Sequence, residues 1–172
     1  GSEIIWSIEQ TVDGGYILGG TVDESIWITK IDADGNVHWS NIISENEILS
    51  CYSIRQTIDG GYILTGSIGS AVSTLDLLLL KVDSMGNEVW RQIFEKNEYS
   101  LGSSIQVLNN GGYIITGRVG QYGENESNAD VILLKIDENG NEEWFKNFDR
   151  GSFDYGESVE PTMDGGYILT GS

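Results

Sequence analysis

Asp59-Gly-Gly-Tyr-Ile-Leu-Thr-Gly66 is one of four near-copies in a chain of 172 residues; the others run from Asp13 to Gly20, Asn110 to Gly117 and Asp164 to Gly171. Self-similarity at a period of about 20 to 50 residues marks solenoids and propellers. The sequence around each copy therefore decides the fold. Ser53 to Gly66 (SIRQTIDGGYILTG) reads as strand, turn, strand, with Gly14, Gly60, Gly111 and Gly165 at the turns of the four copies. Asp-Gly and Gly-Gly supply the positive φ of two-residue hairpin turns. Working outward, Asp76 to Phe94 (DLLLLKVDSMGNEVWRQIF) is a second kind of hairpin, repeated from Ile26 to Ile42 and from Asp130 to Phe148.

We name the strands of the two hairpins a, b, c and d. Strand c is nearly all apolar at Leu77 to Leu80, where a strand with one wet face would alternate with period two. Such a strand is buried on both faces. Four-stranded antiparallel units with sandwiched middle strands predict an all-β fold, a β-propeller with almost no helix. The expected organisation is one region over 1–172, with repeats at 1–48, 49–100 and 101–154 and a half blade at 155–172. That makes about three and a half blades, whereas propellers close with about four to eight. We therefore expect a segment of a larger ring, completed by self-association or by the remainder of a longer chain. Pro161 falls in strand a, an edge that tolerates a missing N–H.

Nine basic against 27 acidic side chains give a net charge of −18, which repels a phosphate backbone and excludes nucleic acid and anionic membrane as expected partners. No apolar run approaches the ~18 residues of a membrane span. The chain shows no initiator Met, no basic-then-apolar leader and no lipidation motif, so the expectation is a mature or excised chain. Cys51 is the single cysteine and has no internal disulfide partner.

The alternation of (S)(I/V)xQTxDGGYI(L)(T)G with (D)xxLLK(I/V)DxxGNxxW resembles the β-propeller repeats of large secreted and surface-anchored bacterial and archaeal proteins. The resemblance spans essentially the whole chain. It implies an extracellular or cell-surface location and a non-catalytic scaffold or protein-binding role. The segments from Lys30 to Trp39, Lys81 to Trp90 and Lys135 to Trp144 are also similar to the tryptophan-docking motif of quinoprotein propellers, which implies that Trp39, Trp90 and Trp144 pack between blades. Here the Asp-to-Trp spacing is one residue short, and Asp34, Met85 or Asn139 replaces the usual Thr, which removes support for quinone binding. The sialidase Asp-box is approached, but its glycine falls at Gly35 instead of Asn36.

Spacing separates rigid connections from variable ones. Trp39 to Ser53, Trp90 to Ser104 and Trp144 to Ser158 each span 14 positions, whereas the b-to-c connection grows from 5 (Gly20 to Ser25) to 10 (Gly66 to Asp76) to 13 (Gly117 to Asp130). Variable loops on one face of a rigid scaffold are where recognition concentrates. Gln121, Tyr122, Glu124, Asn125, Glu126 and Asn128 of the longest loop are the expected contact residues, for a protein or a glycan. The alternative reading is a glycan-active hydrolase or lyase, or a lectin-like glycan binder, on the same architecture. Asp32, Asp34, Asp137 and Asn139 imitate the first half of a calcium loop, but the twelfth positions are Ile43 and Phe148. Hairpin turns capped by Asx side chains explain these residues without a metal. His38 stands alone, and no catalytic residue or cofactor is expected. Lys30, Lys81 and Lys135 are expected to pair with carboxylates such as Asp76 or Asp130.

Overall fold

A computed structural model describes residues 3–71, 74–95, 99–120, 129–149, 151 and 153–172. The first sheet contains β1 (Glu3–Gln10), β2 (Tyr16–Val22), β3 (Ser25–Ile31) and β4 (Val37–Ile43). The second contains β5 (Ile48–Gln56), β6 (Tyr62–Gly69), β7 (Asp76–Val82) and β8 (Glu88–Phe94). The third contains β9 (Tyr99–Val107), β10 (Tyr113–Gly120), β11 (Ala129–Ile136) and β12 (Glu142–Phe148), and β13 (Gly156–Pro161) pairs with β14 (Tyr167–Gly171) as a hairpin. Within each sheet the strands pair in chain order. Among the described residues there is no helix long and apolar enough to cross a membrane.

The apolar strand c is buried from both sides. Leu78, Leu80 and Val82 join Ile17, Ile26, Ile28 and Ile54 between the first and second sheets. Leu77 and Leu79 turn the other way, to Ile105, Ile115, Ile132 and Leu134 of the third. Ile114, Leu133 and Val159 close the third sheet against the hairpin. At roughly 1.5–3 kcal/mol for each fully buried aliphatic side chain, these layers dominate stability. The sheets converge at their first strands, β1 against β5, β5 against β9 and β9 against β13, with no comparable contact between β4 and β8 or β8 and β12 among the described residues.

The hairpin turns differ from the two-residue turns expected. Gly14 N–H donates to Thr11 O and Thr11 N–H to Gly15 O, both at 2.9 Å. Only Gly14 of the loop has positive φ, +85°. This is a three-residue loop, a tight turn followed by a left-handed glycine. The same pattern recurs at Gly60, Gly111 and Gly165. The second glycine serves space: a Cβ on Gly61 would lie 2.5 Å from both Lys81 Nζ and Val82 O. The two-residue turn with both φ positive occurs instead at Asp23 and Glu24, φ 44° and 63°, where the sequence offers no glycine.

Strand a is also longer than the sequence suggests, because each copy carries a β-bulge. Pairing registers shift between Ile5 and Ser7, Cys51 and Ser53, and Gly156 and Ser158, leaving Trp6, Tyr52 and Glu157 as the extra residues. Ser103 is the counterpart in β9. A bulge breaks the period of two and so hides the start of the strand. Opposite it the YILTG glycine is required, since a Cβ on Gly66 would lie 1.8 Å from Ser50 O.

Candidate functional site

The two ends of the sheets are built differently. At the end carrying the a-b and c-d turns, the sequence repeats and so does the geometry. Asp32 Oδ1 accepts from the N–H of Asp34 and Asn36 while Oδ2 accepts from Asn36 Nδ2, a pattern copied at Asp83 and Asp137. The Asn36 hydrogen bonds hold the Asp32 carboxyl below the usual range. Both oxygens of Asp32 and of Asp137 thus serve their own turns. Among the described residues no group of three or more His, Cys, Asp or Glu side chains is arranged to hold a metal ion.

Trp39 lies edge-on to Tyr62 of the next sheet at 5.9 Å, and its Nε1–H donates to Ser84 O at 3.1 Å. Trp90 meets Tyr113 at 6.4 Å and Trp144 meets Tyr167 at 6.0 Å. Each indole of the first two covers the turn glycine of the following c-d hairpin: a Cβ on Gly86 would lie 2.7 Å from the Trp39 ring, and one on Gly140 3.0 Å from Trp90. The glycine of GN is therefore demanded twice, by its φ of +79° or +89° and by the ring above it.

The lysines pair within their own sheet, but not with Asp76 or Asp130. Lys81 Nζ sits 2.9 Å from Asp59 Oδ2 and also donates to Val82 O, and Lys30 likewise bridges Asp13 and Ile31 O. Strand c runs antiparallel to b, which brings its last residues back beside the a-b turn and leaves Asp130 at the opposite end, bonded to Asn147. The third copy lacks this pair. Leu108 and Asn110 stand where Thr57 and Asp59 stand in the second, and Lys135 turns outward to Glu143. Asn110 still accepts from Gly112 N–H, so the turn survives while the ion pair does not. Burial would raise Asp59, yet bonds from Thr57, Lys81 and Gly61 hold it at about 2.

At the opposite end, toward the b-c connections, the inner strands carry residues that do not repeat. The bulge residues are Trp6, Tyr52, Ser103 and Glu157, different in every copy. With Leu101, Arg118 and Tyr155 they line a cleft of about 390 Å³. Trp6 is half exposed and meets Tyr52 edge-on at 5.8 Å. Arg118 stacks near the rings of Tyr99, at 5.2 Å, and Phe153, at 5.5 Å, and donates from Nη2 to Tyr99 Oη at 3.0 Å. Its Nε–H is buried and has no acceptor among the described residues.

Below the cleft the inner edges are tied together. Ile54 N–H donates to Ser7 Oγ, Ile105 N–H to Ser53 Oγ and Val159 N–H to Ser104 Oγ, at 3.2, 3.3 and 3.5 Å. This repeated serine links each first strand to the next. Alongside runs a mixed row: Glu9 beside Arg55 at 3.9 Å, Arg55 Nε donating to Gln106 Oε1, and Gln106 Nε2 to Glu160 Oε1. Burial raises the Glu9 carboxyl, opposed by Gln56 N–H and Arg55. Pro161 lies on this edge strand.

Gln121, Tyr122, Glu124, Asn125, Glu126 and Asn128 fall outside the described residues. His38 is exposed. Cys51 is fully buried, its thiol pushed up to about 12 by burial, and its sulfur fills the space over Gly19 that Thr65 and Thr116 fill over Gly102 and Gly156. Sequence reading passed over the four bulge residues and Arg118. Their signal was there: each bulge residue directly precedes the repeated serine, and Arg118 stands where Thr21, Ser67 and Ser172 stand in the other copies. No protein-family model and no curated protein matches the chain.

Proposed function

We propose that the chain is part of a β-propeller acting as a non-catalytic, extracellular binding scaffold, with recognition at the end where the b-c connections and the bulge cleft open together. The observation that carries this reading is the contrast in repetition: the tryptophan–tyrosine seams and the serine links between first strands recur, whereas the bulge residues that line the cleft differ in every copy. Convergence at the first strands and the aromatic seams fit stacked propeller blades, as does the resemblance to repeats of surface proteins.

Both outer faces are built to take a further sheet. Ile8 is 59% exposed although its counterparts Ile54, Ile105 and Val159 are fully buried. Ile168 is 60% exposed, against 0% for Ile17, Ile63 and Ile114. More repeats, from a second copy or the same polypeptide, cover these faces in the assembled protein. Light scattering tests this: the chain should exceed monomer mass, and Ile8→Asp with Ile168→Asp should return it to monomer. A stable monomer at every concentration, with these faces open, overturns the propeller reading.

A further inference from the structure

We propose that the bulge cleft binds a sugar bearing one carboxylate, a uronic acid residue within an otherwise neutral glycan. The inference rests on the cleft being the recognition end, as argued above, but not on ring closure. Three features converge. The half-exposed Trp6 ring, set edge-on against Tyr52, offers an apolar face against which the C–H face of a pyranose packs. Ser103 and Glu157 bring a hydroxyl and a carboxylate to the same cleft, able to take up sugar hydroxyls.

Arg118 supplies the charge. Its guanidinium lies near the rings of Tyr99 and Phe153, its Nε–H lacks an acceptor among the described residues, and no described carboxylate pairs with it. A buried donor left unsatisfied is costly, and a planar guanidinium with free N–H groups matches a carboxylate better than any neutral group. The ligand's charge is limited from the other side. The protein's own −18 repels a polyanion, so one carboxylate fits where a run of them does not.

Fluorescence titration of the full chain with methyl β-glucuronide, methyl β-glucoside and acetate tests the assignment. Glucuronide should perturb tryptophan emission with a Kd on the order of 1 mM, and glucoside, identical except for the carboxylate, should bind about tenfold or more weakly. In calorimetric titration, Trp6→Ala should abolish glucuronide binding while leaving the melting temperature nearly unchanged, and Arg118→Met should erase the preference for glucuronide over glucoside. Equal binding of glucoside overturns the carboxylate, equal competition by acetate overturns the sugar, and no glucuronide binding overturns both. Should Arg118→Met fail to fold, the three ligands on the unaltered chain still decide. Loss of sugar binding by a chain that nonetheless assembles refutes the ligand and leaves the scaffold; glucuronide binding by a strict monomer does the reverse.

Discussion

Trp39 and Trp6 sit on the two edge strands of the first sheet, β4 and β1, and have opposite relations to the repeat. Trp39 recurs as Trp90 and Trp144, each against a tyrosine of the next repeat. Trp6 becomes Tyr52, Ser103 and Glu157. A residue that must fit the same neighbour in every copy is fixed by that neighbour. A residue that a bulge re-aims out of the ladder touches no repeated surface, and is free to be chosen for something outside the fold. On the proposed reading, the repeated aromatic and serine contacts hold the sheets, and the unrepeated bulge residues are where a partner would be met.

The comparison can be broken at several points. Truncating the recurring tryptophan, Trp39→Ala, removes the indole from the seam and should cost about 3–5 kcal/mol in a chemical denaturation curve. Gly66→Ala strikes where strand b passes the bulge; with Ser50 O only 1.8 Å from the new Cβ, overpacking should cost about 3 kcal/mol and disturb the cleft as well. Asp59→Asn copies the third repeat into the second. It should cost only about 1 kcal/mol, since the lost charged hydrogen bond is partly screened by solvent.

The same carboxylate carries a pH signature. Asp59 is lowered to about 2 from 3.8, so its contribution is present above about pH 4 and lost as the pH falls toward 2. Between about pH 4 and pH 2, thermal stability followed by circular dichroism should fall less in Asp59→Asn than in the unaltered chain. The smallest effect is a gain. Glu24 holds a left-handed φ of 63° in the two-residue turn, and Glu24→Gly should stabilise by about 1 kcal/mol, seen as a rise of roughly 2–4 °C in melting temperature.

Much of this was legible in the sequence because it depends on period and turn chemistry. Leu77 to Leu80 announced a strand buried on both faces, and DGGY and DxxGN placed the turns. The turn length was not legible, because Asp-Gly and Gly-Gly suit more than one hairpin, and only the bond from Gly14 N–H to Thr11 O separates them. The lysine partner was missed because the antiparallel register of c on b, not proximity in sequence, brings Lys81 to Asp59. The cleft was hidden for a different reason. A bulge residue shows no periodicity of its own, and four unlike side chains at one repeat position look like drift until the structure gathers them around one space.

The most direct test sets the two tryptophans side by side in thermal melts of Trp39→Ala and Trp6→Ala. Division of the molecule into a repeated structural end and an unrepeated recognition end predicts a fall of about 6 to 20 °C for Trp39→Ala. For Trp6→Ala it predicts no more than about 3 °C, the edge contact with Tyr52 being the main packing lost. Equal falls, or a larger fall for Trp6→Ala, would contradict it.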